Sequence, residues 1–430
     1  MTSILNQNSR KKKLAELVNS VHKSWVNLML NLNLVIQQEQ KSNQANTSDN
    51  LTKLAVATGL TDWLDLNVND AKAVYMQGEK YLLGYGVPQS FETAYKRYES
   101  AAKSNLPEAL NMMGVMCEFG LGRQTDIALG HKYYTMAAKL DCPEALNHLG
   151  RLNESGKGCE VSYKNAVASY KRASQLGFDD ATTNYGYMVE HGLGCPEDKR
   201  LAFELYKSAA DKGFARAQNA LGNCFYKGIG VSKDYFQASI LYRKASEQGY
   251  TPAHNNLGIC YEEGQGVPKD LGQAKVCYKQ AAEKHHPNAT NNLGYMLLLE
   301  KNYIEAIQQF YLAKTLGNVD ATFQLGYLYE LGCSDNSGVI LGPDLHMALR
   351  FYQECAVKGH IKAILRMASL LICGPESIMD IPTAVSILNI AANPPNSRKP
   401  STKDDPENRV IQASLHGDPD AQNLLGIVYY

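Results

Sequence analysis

A six-residue motif recurs every 36 residues, and this period constrains the fold more than any other feature of the chain. ALNMMG (109–114) returns as ALNHLG (145–150), ATTNYG (181–186), AQNALG (217–222), AHNNLG (253–258) and ATNNLG (289–294). The alanines Ala109, Ala145, Ala181, Ala217, Ala253 and Ala289 keep the spacing without a slip. An earlier copy starts at Ala73, with Gly78 in the glycine place, and looser copies start at Ala321, Ala363 and Ala421. A fixed period of this size marks a solenoid of stacked units, none of which buries its apolar face alone. Such a chain offers an extended surface for other molecules rather than a buried catalytic pocket.

One unit, 253–285, shows how the repeat works. Ala253, Leu257, Gly258 and Tyr261 fall at helical spacing on one face, where Ala and Gly admit a neighbouring helix closely. Gly264 and Gly266 then end the helix and turn the chain. Asp270 stands where a second helix begins, as do Ser90, Asp126, Ser162, Asp198, Asp234, Asn302, Asp344 and Asp380 in other units. All are residue types whose side chain accepts a hydrogen bond from an orphan backbone N–H. The second helix carries Ala274, Tyr278, Ala281 and Ala282, and the tyrosine place is filled elsewhere by Tyr98, Tyr134, Tyr170, Tyr206, Tyr242, Phe310 and Tyr352. Several copies of this helix end near a glycine: Gly177, Gly213, Gly249, Gly317 and Gly359. Each unit therefore reads as helix, glycine turn, helix, turn, with no strand expected anywhere.

These residues resemble the Sel1-like repeat family, relatives of the tetratricopeptide repeat. The pattern is clearest in AQNALGNCFYKGIGVSKDYFQASILYRKASEQG (217–249). The resemblance implies an all-α fold, a right-handed α-solenoid of helix–turn–helix repeats (an α/α superhelix). It also implies a scaffold for protein partners. A plain tetratricopeptide unit has a shorter period and lacks the GxG turn.

Composition narrows the classes further. With 44% hydrophobic residues and 43 basic against 43 acidic side chains, the chain is neither disordered nor strongly drawn to nucleic acid. It has no apolar run long enough to span a membrane. Its ten cysteines include no CxxC pair. Cys224 and Cys260 share one repeat position, and Cys159 and Cys195 replace the valine of a GxGV turn. They read as small buried hydrophobes in a reducing compartment, and a cytoplasmic location is expected.

Boundaries follow from where the repeat begins and fails. Residues 1–50 comprise an amphipathic helix and a polar linker (37–50), 51–69 a capping helix, and 70–393 the solenoid. Residues 394–416 read as a mobile insertion and 417–430 as a partial terminal repeat, taken as a cap with a fragmentary sequence as the alternative. The N-terminal stripe Leu14, Leu17, Val21, Trp25, Leu28, Leu32 and Val35 suits a cap on the first repeat. It also suits a self-association helix (residues 14–36) or a membrane-surface helix. RKKK (10–13) is read as a solvated run, with a targeting signal as the alternative. The unit at Ala289 lacks the GxG turn, and that at Ala321 gains residues in CSDNSGVILGPD (333–344), read as a loop.

Catalytic signatures are weak. The GxG turns have no GK[ST] after them and no strand before them, so they are not phosphate loops. SAAK (100–103) and SDN (334–336) match fragments of a β-lactamase signature, but no KTG follows and SAAK falls in a helix. His285 and His286 adjoin in a turn without further metal-ligand spacing. No enzymatic activity, metal or cofactor is expected.

The first helices, which usually line the concave side of such a solenoid, carry the candidate site. Counting from each repeat alanine, position two holds Asn111, Asn147, Thr183, Asn219, Asn255, Asn291 and Phe323. Position six holds Val115, Arg151, Tyr187, Asn223, Ile259, Tyr295 and Tyr327. Position nine holds Glu118, Glu154, Glu190, Tyr226, Glu262, Leu298 and Glu330. These places share one side of a helix, away from the packing stripe. Asparagine amides there can pair with the main chain of an extended peptide, glutamates attract Lys or Arg, and tyrosines stack. In the competing account the asparagines only tie neighbouring units together. The expected function is a non-catalytic adaptor for protein or peptide partners bearing basic residues. A secreted or injected effector is the alternative, and a β-lactamase-like or penicillin-binding hydrolase a remote third.

Overall fold

The computed structural model describes residues 70–384 apart from 85–86 and 336–337. The N-terminal helix, linker and capping helix assigned to residues 1–69 lie outside the described residues, as do 385–430 with the insertion and the terminal repeat. The chain divides into two compact units, Met1–Lys212 and Gly213–Tyr430.

The described part of the first unit is four helix pairs. They are α1 (Ala71–Leu83) with α2 (Phe91–Ala102), α3 (Pro107–Phe119) with α4 (Ile127–Ala138), α5 (Pro143–Ser155) with α6 (Tyr163–Gln175), and α7 (Asp179–Glu190) with α8 (Lys199–Asp211). The second unit continues the pattern. Its pairs are α9 (Ala215–Lys227) with α10 (Tyr235–Glu247), α11 (Thr251–Glu263) with α12 (Leu271–Glu283), α13 (Pro287–Leu299) with α14 (Tyr303–Thr315), and α15 (Val319–Leu331) with α16 (Leu345–Val357). A further first helix, α17 (Ile361–Cys373), follows. Within each unit every helix packs on its chain neighbours, as an all-α solenoid requires.

Local chemistry sets the helix ends. Second helices begin at the expected caps: the side chains of Ser90, Asp126, Ser162, Asp198, Asp234, Asp270, Asn302 and Asp344 each accept from the backbone N–H three residues on. Asp380 accepts from Thr383 in the same way. Four first helices carry proline in the opening turn, where no N–H is missed. The turns between repeats use Gly177, Gly213, Gly249, Gly317 and Gly359 with positive φ, and elsewhere Asn105, Asp141 and His285. Those three are among the few non-glycine types that accept the left-handed region.

The core is a stack of alanines and tyrosines. Tyr98, Tyr134, Tyr170, Tyr242, Tyr278, Phe310 and Tyr352 are fully buried. Each lies on the glycine of its own first helix. A Cβ built on Gly150 would stand 2.5 Å from the Tyr170 ring, so the motif glycine makes room for the tyrosine. The second glycine of the GxG turn joins repeats: at Gly266, φ is +75° and a Cβ would stand 1.9 Å from the Tyr235 carbonyl oxygen of the preceding second helix.

One expectation needs correction. Residues 333–344 are not simply a loop, and the fold is not free of strands. β1 (Cys333–Asp335) pairs antiparallel with β2 (Gly338–Leu341). Gly332 leaves α15 with φ 70°, and the extra residues carry the chain out and back before Asp344 caps α16. Val339 and Ile340 suit the extended return.

A candidate peptide-binding face on the first helices

The polar ladders of the first helices are engaged from within. At position two, Asn147 Oδ1 accepts from Asn184 Nδ2 at 2.8 Å. Asn219 Oδ1 accepts from Asn256 at 2.9 Å and Asn255 Oδ1 from Asn292 at 3.1 Å. Each bond joins a first helix to the next one. Where the following repeat has His148 or Gln324 in place of that donor asparagine, the upstream acceptor is left over: Asn111 Oδ1 and Asn291 Oδ1 are buried and accept no hydrogen bond.

Position nine answers the core tyrosines. Tyr134 OH donates to Glu118 at 3.0 Å, Tyr170 to Glu154 at 2.8 Å, and Tyr206 to Glu190 at 2.8 Å. Tyr278 donates to Glu262 at 2.5 Å and Tyr352 to Glu330 at 2.6 Å. In these five repeats the buried tyrosine hydroxyl thus reaches a carboxylate on its own first helix, which satisfies the donor. Burial first, and then the neighbouring carboxylate, push the Tyr134, Tyr278 and Tyr352 hydroxyls far above the usual phenol range.

Three repeats depart from this pairing. In the first, position nine is Leu82 and Tyr98 OH donates instead to Glu79 at position six, 3.5 Å away. Where position nine is Tyr226, Tyr242 turns to Asn223 at position six, 2.8 Å away. Where it is Leu298, the core residue is Phe310, which has no hydroxyl to satisfy. The coordinated loss of Glu and OH was visible in the sequence as Leu298 with Phe310. Reading each ladder separately conceals it.

Arginines occupy two of these carboxylates. Arg151 Nη2 lies 2.7 Å from both oxygens of the buried Glu118. Beside them His148 stacks on Tyr134 at 4.8 Å, and burial, reinforced by Arg151, lowers its pKa to about 4. Arg366 Nη1 lies 3.3 Å from Glu330 Oε1, with its guanidinium 5.3 Å above the Tyr327 ring. Glu154, Glu190 and Glu262 form no ion pair among the described residues.

The position-six tyrosines differ in exposure. Tyr187 is 43% exposed and Tyr295 41%, while Tyr327 is half-buried under Arg366. Tyr187 also meets the His191 ring at 4.3 Å. The histidine pair of the sequence has structural work: His285 takes a positive φ, and His286 Nδ1 accepts from Ala289 N to cap α13.

Comparison with known proteins agrees with this register. The Sel1 repeat family model matches residues 71–106, 107–142, 143–178, 179–214, 215–250, 251–286 and 319–356. The chain belongs to the Sel1 repeat family. The stretch left between the last two Sel1 matches is the shortened unit at Ala289. Among solved structures, c5321, a protective antigen of uropathogenic Escherichia coli displaying an SLR fold, is 26% identical with a TM-score of 0.54. The match covers 75% of this chain and 69% of that one. A Sel1 repeat protein from Oxalobacter formigenes is 26% identical with a TM-score of 0.49, over 54% of this chain and 92% of that one. No curated protein matches the sequence. Sel1 repeat proteins are generally protein–protein interaction scaffolds. No helix among the described residues is long and apolar enough to cross a membrane.

Proposed function

We propose that this Sel1 repeat protein is a cytoplasmic, non-catalytic adaptor that binds partner proteins as extended segments along its first helices. The observation that carries the reading is the exposure of Tyr187 and Tyr295 at one register place. Tyr187 stands between Thr183, which donates to Asp179 O, and Glu190, which accepts from Tyr206, whereas Tyr295 has Asn291 and Leu298 at those places. An exposed aromatic ring bordered by oriented polar groups is what peptide capture needs. Glu154, Glu190 and Glu262 add negative charge suited to basic partners. The cytoplasmic assignment rests on cysteine usage: six of the ten thiols lie buried in the core, and the cysteines form no disulfide among the described residues.

The test is affinity capture with mass spectrometry from the native cell, comparing wild type with Tyr187→Ser/Tyr295→Ser. Both residues are exposed, so the variant is expected to keep its unfolding temperature while losing partners. Retention of every partner by the folded variant would remove the first-helix face from the function.

A further inference from the structure

Two arginines of the chain show what the first-helix face accepts. Arg366 rests with its guanidinium over Tyr327, at position six, and on Glu330, at position nine. Tyr352 OH fixes the other oxygen of that carboxylate. The same two residues recur at the same places on α7 as Tyr187 and Glu190, with Tyr206 OH on Glu190 Oε2. Here no arginine completes the arrangement among the described residues, and Tyr187 is exposed. One first helix upstream, Glu154 is likewise fixed by Tyr170 and forms no ion pair among the described residues. Its equivalent Glu118 takes Arg151 on both oxygens.

We propose that Tyr187 and Glu190 form a seat for an arginine side chain of a partner protein, and that Glu154 takes a second arginine from the same segment. The proposal rests on the reading of the first helices as the binding face. Arginine fits better than lysine because a planar guanidinium stacks on a ring and bonds a carboxylate at once. Glu154 and Glu190 hold the same place on successive first helices, which the Asn147–Asn184 bond ties side by side, so the two seats stand on the order of 10 Å apart. A β-strand presents same-side residues every ~7 Å, a step shorter than that separation. A polyproline II segment presents every third residue on one side, about 9 Å apart. The fitting ligand is therefore an Arg-x-x-Arg segment in polyproline-like conformation.

The experiment measures fluorescence anisotropy of labelled peptides with the full chain, using cores Arg-Pro-Pro-Arg, Lys-Pro-Pro-Lys, Gln-Pro-Pro-Gln and the shortened Arg-Pro-Arg. The first should bind tightest, with the glutamine peptide about tenfold weaker or more. Glu190→Gln, which still accepts from Tyr206, should weaken the arginine peptide about tenfold. Tyr187→Leu at its exposed position should weaken it about threefold. Equal affinity for the arginine and glutamine peptides, or binding unchanged in both variants, overturns the seat. If the peptides fail while Tyr187→Ser/Tyr295→Ser still loses native partners, the arginine seat falls and the binding face stands. If both fail, the face falls too.

Discussion

The pairing of Tyr278 with Glu262 is testable because the chain supplies its own control in Phe310 and Leu298. Tyr278 is fully buried, and its hydroxyl donates to the half-buried Glu262 carboxylate at 2.5 Å. A hydrogen bond to a charged group is worth about 1.5–3 kcal/mol, and partial exposure of the carboxylate reduces this to about 1–2 kcal/mol. Tyr278→Phe should lower unfolding free energy by that amount. Glu262→Leu leaves a buried hydroxyl without its acceptor and should cost about 1–3 kcal/mol. The double variant rebuilds the Leu–Phe combination and should cost much less than the sum, giving a coupling energy of about 1–2 kcal/mol. Urea unfolding followed by circular dichroism measures all four proteins, provided the slopes agree. Additive effects, with coupling below about 0.3 kcal/mol, would refute the claim that the carboxylate is there for the tyrosine.

Other consequences are checked the same way. Gly150→Ala would place a methyl 2.5 Å from the Tyr170 ring and should destabilise by about 1–3 kcal/mol, seen as a lowered thermal midpoint. Asp270→Ala removes the acceptor for Gln273 N and should cost about 1 kcal/mol in denaturant melts, while Asp270→Ser should restore most of it. Asn256→Ala strands the buried Asn219 oxygen and should cost about 1–3 kcal/mol with no change in helix content. His148 titrates near pH 4 when folded and near 6.5 when unfolded, so the unfolded chain takes up a proton first as pH falls. Its contribution is present above about pH 6.5 and lost towards pH 4. The loss is at most about 3 kcal/mol, since the residue is partly open to solvent. His148→Gln should flatten that part of the stability profile, and an unchanged slope between pH 7 and about 4.5 would count against it.

The architecture was legible because its signals are local and repeated. Asp270 before Ala274, or Gly258 facing Tyr278, each has one cause, and the same cause recurs at fixed spacing. The hairpin at 333–341 escaped because a single short β-branched run has no repeat to support it. The face of the first helices was harder for a different reason. A polar residue at position nine is placed by helical geometry, but its partner is placed by the reach of a side chain on the second helix. Only the paired exception, Leu298 with Phe310, exposes that link in the sequence. The distinction also bears on function. Residues that recur in most repeats, the glutamates at position nine and the asparagines at position two, have duties within the array: a tyrosine hydroxyl to accept, or a neighbouring amide. Residues that vary at position six, from Val115 and Arg151 to Tyr187 and Tyr295, answer to no such common duty. Regularity in this chain marks what the repeat needs to stand, and specificity for a partner is to be sought where the regular pattern breaks.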